Sequence, residues 1–365
     1  MERFDIAIVG GGMAGASLAA AIGNKARVLV LEREEQPGYH STGRSAAFWT
    51  ESYGGSGVQP LTTASGPILQ RLGMLRPRGA LTIGTGAQVE AVEAFAARYA
   101  ALGIEVRLLG RDAVAALVPG LRPDWTCGAL EPSCSDIDVS GLHQHYLAVL
   151  RAYGTQVWCR AALEHAERAP EGWSLTLGDG RKAGCSVLVN AAGAWADTVA
   201  RIAGVFPLGI APLRRTVAQL RVAPAAPAGL PLVLDVAERF YFKPEAGRIW
   251  LSPHDETPSA PCDAAPEEVD VATAIARLET VVDWRVERIE HRWAGLRSFA
   301  PDRLPVYGFD VAEAGFFWFA GQGGFGIQTA PAAADLAARL LLGEGPGAVE
   351  PKPYDPARLV RMSEV

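Results

Sequence analysis

The N-terminal part of the chain alternates between apolar runs and a glycine-rich turn. Residues 4–9 are mostly apolar and β-branched, which predicts a strand. Glycines follow from Gly10 to Gly15, and an alanine-rich stretch then continues to Ile22, which predicts a tight turn and a helix. A second apolar run at 28–31 predicts another strand. The segment is therefore expected to form a βαβ unit.

The middle of the chain carries one helical pattern and then mostly strand patterns. Residues 88–102 place apolar side chains at helical spacing, which predicts a surface helix over a sheet. Residues 239–251 predict a β-hairpin whose loop is the four residues 244–247. The region from about 205 to 300 is expected to be rich in strands, with one helix near 269–282.

The C-terminal part repeats the order of the N-terminal part. An aromatic run at 316–320 leads into residues 321–326, of which four are glycine. Thr329 then precedes an alanine- and leucine-rich stretch that ends near Gly343. This pattern again predicts a strand, a glycine loop and a helix.

Composition and charge exclude several classes of protein. Hydrophobic residues make up 49% of the 365 residues and charged residues 20%, which is typical of globular proteins and allows about two domains. The net charge is −6 and no long basic run occurs, so a nucleic-acid partner is not expected. No apolar run approaches the roughly 18–20 residues of a transmembrane helix. The protein is expected to be cytoplasmic, and peripheral contact with a membrane electron acceptor is an open alternative.

The cysteines and histidines predict no metal centre. The five cysteines form no C-x-x-C pair, so neither a zinc site nor a disulfide framework is expected. His143 and His145 are two residues apart in a predicted helix and cannot share one helical face. The remaining histidines are expected to be surface or supporting residues.

The glycine turn after the first strand carries the first chemical signal. The spacing Gly10-x-Gly12-x-x-Gly15 brings backbone N–H groups and a helix N-terminus close to a pyrophosphate. Glu32 ends the second strand, where a carboxylate can accept hydrogen bonds from both ribose hydroxyls. A purely structural glycine turn is the alternative. Together these features predict a dinucleotide site.

Two further segments bear on the identity of that dinucleotide. The loop Gly323–Thr329 could direct a second helix N-terminus at the N1/C2 edge of a flavin, where negative charge accumulates on reduction. An ordinary helix cap is the alternative. A buried strand at 187–190 runs into small residues that permit close approach of a ligand. Taken alone, that segment is only a tight turn.

These motifs, with the segment His40–Ala47 and the run Asn190–Trp195, resemble the D-amino-acid oxidase superfamily of FAD enzymes. Within it the chain resembles the bacterial FAD-dependent D-arginine dehydrogenases. The resemblance covers nearly the whole chain and implies an α/β (α+β) fold, with a glutathione-reductase-type FAD-binding Rossmann domain and a mixed β-sheet substrate domain. The FAD domain is expected at 1–80, 140–205 and 300–365, and the substrate domain at 81–139 and 206–299.

The resemblance implies FAD as the cofactor. No cysteine lies near the first βαβ unit, so non-covalent binding is expected. The residues expected to contact FAD are Gly10, Gly12, Ala14, Gly15, Glu32, Arg33, Ser41, Thr42, Gly43, Arg44, Ser45, Ala46, Ala47, Leu163, Ala192, Gly193, Trp195, Gly323, Gly324, Gly326, Ile327, Gln328 and Thr329.

The resemblance also places a substrate carboxylate clamp on Arg215 and Arg297, with a hydroxyl from Tyr241. A guanidinium is a planar fork of donors that matches a carboxylate. The alternatives are that Arg297 pairs with a carboxylate of the chain itself, and that Arg214 takes the place of Arg215. Tyr241 alternates with Phe240 and Phe242 on a strand and so faces away from them; packing in the core is its alternative role.

Other residues are expected around the substrate. Tyr53 would cover it from a loop followed by glycines, or would be a simple surface aromatic. Gln328 and Gly324 would contact the flavin or the substrate from the terminal loop, whereas an exposed helical position is the alternative for Gln328. Phe48 stands where the arginine-specific relatives have a histidine beside the flavin.

One departure from those relatives concerns the substrate side chain. They use a glutamate to pair with the substrate guanidinium, and the best alignment places Ala80 there. A cationic side chain without a paired anion is poorly stabilised. A neutral, apolar or aromatic side chain is therefore predicted, although Glu51 is a candidate for a replacement acid.

The expected activity is oxidative deamination of a D-amino acid by hydride transfer to flavin N5, giving an imino acid and then a 2-oxo acid and ammonia. The electron acceptor is open among a quinone, an electron-transfer protein and O2. Two alternatives remain: an oxidase of secondary amines such as glycine, sarcosine or N-methyl amino acids, and a flavin-binding module without turnover.

Overall fold

The computed structural model describes residues 1–345 and 347–360. Its α-helices are α1 (Met13–Ile22), α2 (Gln59–Arg71), α3 (Val89–Ala100), α4 (Arg111–Leu117), α5 (Val139–Ala152), α6 (Ala196–Ile202), α7 (Glu268–Val281), α8 (Ala330–Leu342) and α9 (Ala357–Val360). Single 3-10 turns lie at Ser41–Arg44, Gly86–Gln88, Gly193–Trp195 and Lys352–Tyr354. None of the helices in these residues has the length and apolar character that spanning a membrane requires.

The strands form two large sheets and one small one. They are β1 (Glu2–Val9), β2 (Val28–Leu31), β3 (Phe48–Trp49), β4 (Leu75–Pro77), β5 (Ala80–Thr85), β6 (Arg107–Gly110), β7 (Trp125–Glu131), β8 (Ser135–Ile137), β9 (Gln156–Trp158), β10 (Leu163–Ala169), β11 (Gly172–Leu177), β12 (Lys182–Asn190), β13 (Ala211–Ala223), β14 (Leu232–Asp235), β15 (Tyr241–Glu245), β16 (Arg248–Ser252), β17 (Thr257–Pro258), β18 (Arg285–Phe299), β19 (Val306–Phe309), β20 (Phe316–Ala320) and β21 (Gln322–Gly323). The predicted α/β fold class is confirmed.

The first sheet contains the N-terminal βαβ unit. Its order is β10-β11-β12-β1-β2-β9, with β20 also paired to β12 and β19 paired to β20. Strands β1, β2, β9, β12 and β20 are parallel, so their carboxyl ends meet at one edge. Ile6 and Ile8 pack towards α1, α5 and α8, whereas Ala7 and Val9 pack towards α6. This two-sided apolar pattern is typical of a strand covered on both faces.

The second sheet is mixed and has the order β21-β18-β13-β16-β15-β14-β5-β7-β6, with β17 paired to β13. Its longest ladder joins β13 and β18 and places Arg215 opposite Gly295 and Leu213 opposite Arg297. The third sheet has three strands in the order β3-β8-β4. Strand β21 pairs with β18, so the C-terminal segment contributes to the second sheet as well as to the first.

The predicted helices at 88–102 and 269–282 correspond to α3 and α7. The predicted four-residue hairpin loop is wrong, because Pro244 and Glu245 still pair with Ile249 and Arg248 in the ladder. Only Ala246 and Gly247 form the turn, both with positive φ, as expected for a tight two-residue hairpin.

Candidate active site

A long cleft lies between the parallel edge of the first sheet and the β13–β18 ladder of the second. One end is lined by Glu32 and the glycine turn, and the other by Arg215, Arg297 and Tyr241. In open parallel sheets, ligands bind outside the carboxyl ends of the strands. The position of the cleft is therefore the one expected for a dinucleotide.

The glycine turn forms one wall of the cleft. Gly10 has φ +109°, and a Cβ atom there would lie 2.4 Å from the carbonyl oxygen of Ala191. Helix α1 then begins with no acidic residue in its first turn, so its partial positive charge is not offset locally. These features suit a pyrophosphate.

Glu32 provides the carboxylate of this wall. Its Oε2 accepts a hydrogen bond from the backbone N–H of Gly11 at 3.0 Å, and its Oε1 accepts from the N–H of Glu34 at 2.9 Å. The side chain is buried but lines the cleft. It is thus fixed in place with further acceptor capacity for ribose hydroxyls.

His143, for which the sequence predicted no role, contacts the backbone of the glycine turn. The Nε2 of His143, on α5, is hydrogen-bonded to the carbonyl oxygen of Gly11 at 3.0 Å, and the ring is buried. Because this partner is a backbone atom far away in the sequence, no local pattern could have indicated it.

The segment after β2 joins the two sheets across the cleft. The backbone N–H of Met13 donates to Thr42 Oγ1 at 2.9 Å, and Ser41 Oγ donates to the carbonyl oxygen of Leu296 at 2.6 Å. Arg44 donates to the carbonyl oxygens of Ala264 and Ala294 at 2.8 and 3.2 Å. The segment thus connects the N-terminus of α1 to strand β18.

The ring of Trp195 lies between His40 and Arg33 at the Glu32 end of the cleft. The ring centroid lies 4.7 Å from that of His40 and 4.8 Å from the guanidinium carbon of Arg33. All three residues line the cleft. They form an aromatic and cationic surface next to the Glu32 carboxylate.

Most residues expected to bind FAD line the cleft, and three do not. The lining ones are Gly10, Gly12, Ala14, Glu32, Arg33, Ser41, Thr42, Arg44, Ser45, Ala46, Ala47, Leu163, Ala192, Gly193, Trp195, Gly323, Gly324, Gly326, Ile327 and Gln328. Gly15 instead packs against the turn, since a Cβ there would lie 1.9 Å from the carbonyl oxygen of Gly10. Gly43 closes a backbone turn to Gly38, and the buried hydroxyl of Thr329 donates to Phe325.

Arg215 and Arg297 meet at the other end of the cleft. The Nε of Arg215 donates to the carbonyl oxygen of Asp255 at 2.7 Å, and its Nη1 is buried without a hydrogen-bond partner. The Nη1 of Arg297 donates to the Tyr53 hydroxyl at 2.7 Å, and its Nε is likewise buried and unpartnered. Burial and the neighbouring charge of Arg297 lower the pKa of Arg215.

The two alternatives for these arginines have different outcomes. Arg214 points away from the cleft and pairs with Glu267 and Asp270, so it does not replace Arg215. Arg297 does pair with a carboxylate of the chain, because its Nη2 lies 2.6 Å from an oxygen of Glu256. That ion pair uses one nitrogen only and leaves Arg297 in the cleft wall.

Aromatic side chains form the wall beside the arginine pair. The ring of Phe48 lies 5.4 Å from that of Tyr53 and 5.8 Å from that of Tyr241. Tyr241 faces the cleft, whereas Phe240 and Phe242 pack in the core on the other side of the sheet. Apart from the aromatic hydroxyls, this wall is apolar.

The sequence did not predict that His254 lies next to Tyr53 and Tyr241. Its ring lies 5.8 Å from that of Tyr241 and 6.4 Å from that of Tyr53. Burial and the charges of Arg215 and Arg297 lower the pKa of His254 to about 2. The imidazole is therefore neutral at physiological pH and adds no charge beside the arginines.

Among the described residues, Glu51, the candidate replacement acid for a cationic substrate, does not line the cleft. The carboxylate of Glu51 instead accepts a hydrogen bond from the hydroxyl of Thr63 on α2. Among the described residues that line the cleft, the only acid is Glu32, at the opposite end. Ala80 is buried with Phe48 and Tyr241 in one apolar cluster.

Gly324 and Gln328 bring the terminal loop to the arginine pair. A Cβ atom on Gly324 would lie 2.4 Å from Nη1 of Arg297, so a side chain there would displace the guanidinium. The side-chain amide of Gln328 is already bonded, because Nε2 donates to Thr62 Oγ1 at 2.9 Å and Oε1 accepts from the N–H of Thr50 at 3.3 Å. Gln328 therefore holds the loop that precedes Tyr53.

Comparison with known proteins identifies the family. The sequence pattern of the DAO family, described as FAD dependent oxidoreductase, matches residues 5–340. Solved structures with the same fold include glycine oxidase from Geobacillus kaustophilus, which is 20% identical with a TM-score of 0.85 and coverage of 97% of this chain and 98% of that one.

Two others illustrate the range of the fold. L-proline dehydrogenase from P. horikoshii is 18% identical, with a TM-score of 0.87 and coverage of 99% of both chains. Iminodiacetate oxidase from Chelativorans sp. BNC1 is 22% identical, with a TM-score of 0.78 and coverage of 96% of this chain and 98% of that one. The chain belongs to the DAO family of FAD-dependent oxidoreductases, and FAD is its cofactor.

Proposed function

We propose that this protein catalyses the FAD-dependent oxidative deamination of a D-amino acid with a neutral, apolar or aromatic side chain. The observation that carries the proposal is the pair of buried, unpartnered guanidinium nitrogens on Arg215 and Arg297. Buried donors without acceptors are costly, and a substrate carboxylate would satisfy both. The D configuration follows from the resemblance to the arginine-specific enzymes.

The protein's contribution is to bind and orient the substrate. With its carboxylate held by the arginines, an amino acid directs its side chain at the aromatic wall and its Cα–H towards the middle of the cleft. When bound, FAD accepts the hydride that leaves Cα. The amine must first lose a proton to solvent, and the resulting imino acid is hydrolysed by water to a 2-oxo acid and ammonia.

The side-chain preference rests on the aromatic wall and on the missing acid. Phe48 and Tyr241 offer apolar area, and no carboxylate of the described residues lines this end of the cleft. A buried ammonium or guanidinium would therefore lack a counterion. D-arginine and D-lysine are expected to be poor substrates even though the motifs resemble those of the arginine-specific enzymes.

A panel of substrates mixed anaerobically with the holoenzyme tests the proposal. Flavin absorbance is expected to bleach with D-leucine, D-phenylalanine or D-methionine and to change far more slowly with their L-forms and with D-arginine. Bleaching by glycine, sarcosine or N-methyl amino acids instead would favour the secondary-amine alternative, which the names of the glycine and iminodiacetate oxidases support. No bleaching, with carboxylates still perturbing the spectrum, would favour a module without turnover.

The rate of flavin reduction is expected to rise with pH through the pKa of the bound substrate's amino group and then level off. Hydride loss requires the amine lone pair. Two titratable side chains near the arginines are not expected to add steps to this profile. The pKa of His254 is lowered to about 2, so its ring stays neutral above that pH. Burial raises the pKa of Tyr241, so its hydroxyl keeps its proton. Stopped-flow reduction between pH 6 and 10 measures the profile, and a flat one would contradict the scheme.

A further inference from the structure

Glu131 carries a buried carboxyl group that the proposed reaction does not use. It lies at the end of β7, is 1% exposed and is not among the residues lining the cleft. Its Oε2 accepts hydrogen bonds from Thr50 Oγ1 at 2.6 Å and from the N–H of Ser52 at 3.2 Å. Its Oε1 accepts from the N–H of Glu51 at 2.9 Å and from Ser133 Oγ at 3.0 Å.

Both carboxyl oxygens of Glu131 are held by hydrogen-bond donors. All four partners donate to it, and it donates to none. Within the described part of the chain Glu131 forms no ion pair. Burying an unpaired charge is unfavourable, so its retention needs a specific reason. A glutamine would not satisfy the same set of donors, because its amide nitrogen would face the backbone N–H of Glu51 or of Ser52, and neither can accept a hydrogen bond.

Three of the four donors belong to residues 50–52, which immediately precede Tyr53. Gln328 holds the same segment from the other side, by accepting from the N–H of Thr50 and donating to the carbonyl oxygen of Tyr53 at 3.3 Å. Directly after Tyr53, Gly54 and Gly55 have φ values of +100° and +77°. The backbone that carries Tyr53 is thus fixed mainly on its N-terminal side.

Tyr53 is the residue through which this anchoring reaches the cleft. Its hydroxyl accepts the hydrogen bond from Arg297 Nη1, and its ring contacts those of Phe48 and Phe325 at 5.4 and 5.1 Å. A shift of the segment would move the hydroxyl away from Arg297. The guanidinium would then keep its ion pair with Glu256 but lose the second contact that orients it.

We propose that Glu131 is a positioning residue of the carboxylate site, which acts through residues 50–52 to hold Tyr53 against Arg297. The proposal rests on the proposed function, because it takes Arg297 and Tyr53 as residues that bind a carboxylate. It assigns to Glu131 an effect on ligand affinity that a residue stabilising only the fold would not have.

The test measures the Kd of benzoate, an aromatic monocarboxylate, from the change in flavin absorbance of the holoenzyme. Glu131→Gln is expected to raise this Kd by about tenfold, as for the loss of a hydrogen bond to a charged group. Tyr53→Phe is expected to raise it as well. If Glu131 acts through Tyr53, the double variant binds benzoate no more than about twofold more weakly than Tyr53→Phe alone.

Ser133→Ala is the matched control. It removes a donor to the same carboxylate from outside the Tyr53 segment, so it is expected to lower Tm slightly and leave the benzoate Kd unchanged. If Glu131→Gln does not retain FAD, Thr50→Val replaces it, since this change removes only the hydroxyl donor of the segment and is expected to raise the Kd by about threefold.

The outcomes separate this inference from the function on which it rests. A wild-type protein that neither binds benzoate nor is reduced by any amino acid overturns both. A wild-type protein that responds, combined with an unchanged Kd in Glu131→Gln and Thr50→Val, overturns the role of Glu131 alone. Full additivity of Glu131→Gln and Tyr53→Phe does the same.

Discussion

Replacing Arg215 by lysine is expected to lower kcat/KM for the preferred amino acid by roughly 10- to 100-fold. This corresponds to the loss of one hydrogen bond between charged groups, which costs about 1.5–3 kcal/mol. The Nε of Arg215 is held by Asp255 while Nη1 is free for a ligand. A lysine ammonium cannot keep the first contact and make the second, because it lacks the planar fork of donors.

The preceding residue provides a matched control for this experiment. Arg214 is also on β13, but its guanidinium pairs with Glu267 and Asp270 outside the cleft. Arg214→Lys is expected to change kcat/KM by less than about threefold, as is usual for a partly exposed ion pair. Equal losses in both variants would show that the effect comes from the strand and not from substrate binding. Steady-state kinetics with benzoate inhibition as a second readout would measure both.

Replacing Gly10 by alanine is expected to yield a protein that no longer retains FAD during purification. The added Cβ would lie 2.4 Å from the backbone oxygen of Ala191, and backbone atoms cannot move aside cheaply. The φ of +109° adds strain of about 1–3 kcal/mol for a residue with a side chain. Both effects displace the turn that we expect to bind the pyrophosphate. The ratio of flavin to protein absorbance and an FAD titration of the apoprotein measure the loss.

A second glycine separates cofactor loss from general destabilisation. Gly23 ends α1 with φ +63°, and the nearest atom to an added Cβ is in Tyr153 at 3.7 Å. Gly23→Ala therefore introduces backbone strain without a close clash and outside the cleft. We expect a lower Tm with a normal content of FAD. If Gly10→Ala also retained its FAD, the assignment of the turn as the pyrophosphate site would be wrong.

The parts of the fold that the sequence predicted are those governed by local patterns. The apolar run before Gly10 and the carboxylate after the second strand are set by short-range periodicity, and the structure brings them together at one sheet edge. The hairpin loop was predicted too long because proline usually ends a strand. Here Pro244 lies within β15, and the turn needs only Ala246 and Gly247.

The residues that were missed are defined by contacts across the fold. Glu256 and His254 lie in a connection before the short strand β17, where no periodicity marks an inward-facing side chain. The sequence around Glu131 is that of an ordinary strand end, and its hydrogen-bond donors at 50–52 are distant in the sequence. The choice between Arg214 and Arg215 was open for a similar reason, since only the ladder with β18 decides which one faces the cleft.

The hydrogen bond from Ser41 to the carbonyl oxygen of Leu296 has a thermodynamic consequence. It connects the segment that we expect to bind the nucleotide to the peptide unit immediately before Arg297. We therefore expect FAD binding and carboxylate binding to be linked equilibria, and such coupling is reciprocal. The apoprotein is expected to bind a carboxylate more weakly than the holoenzyme does.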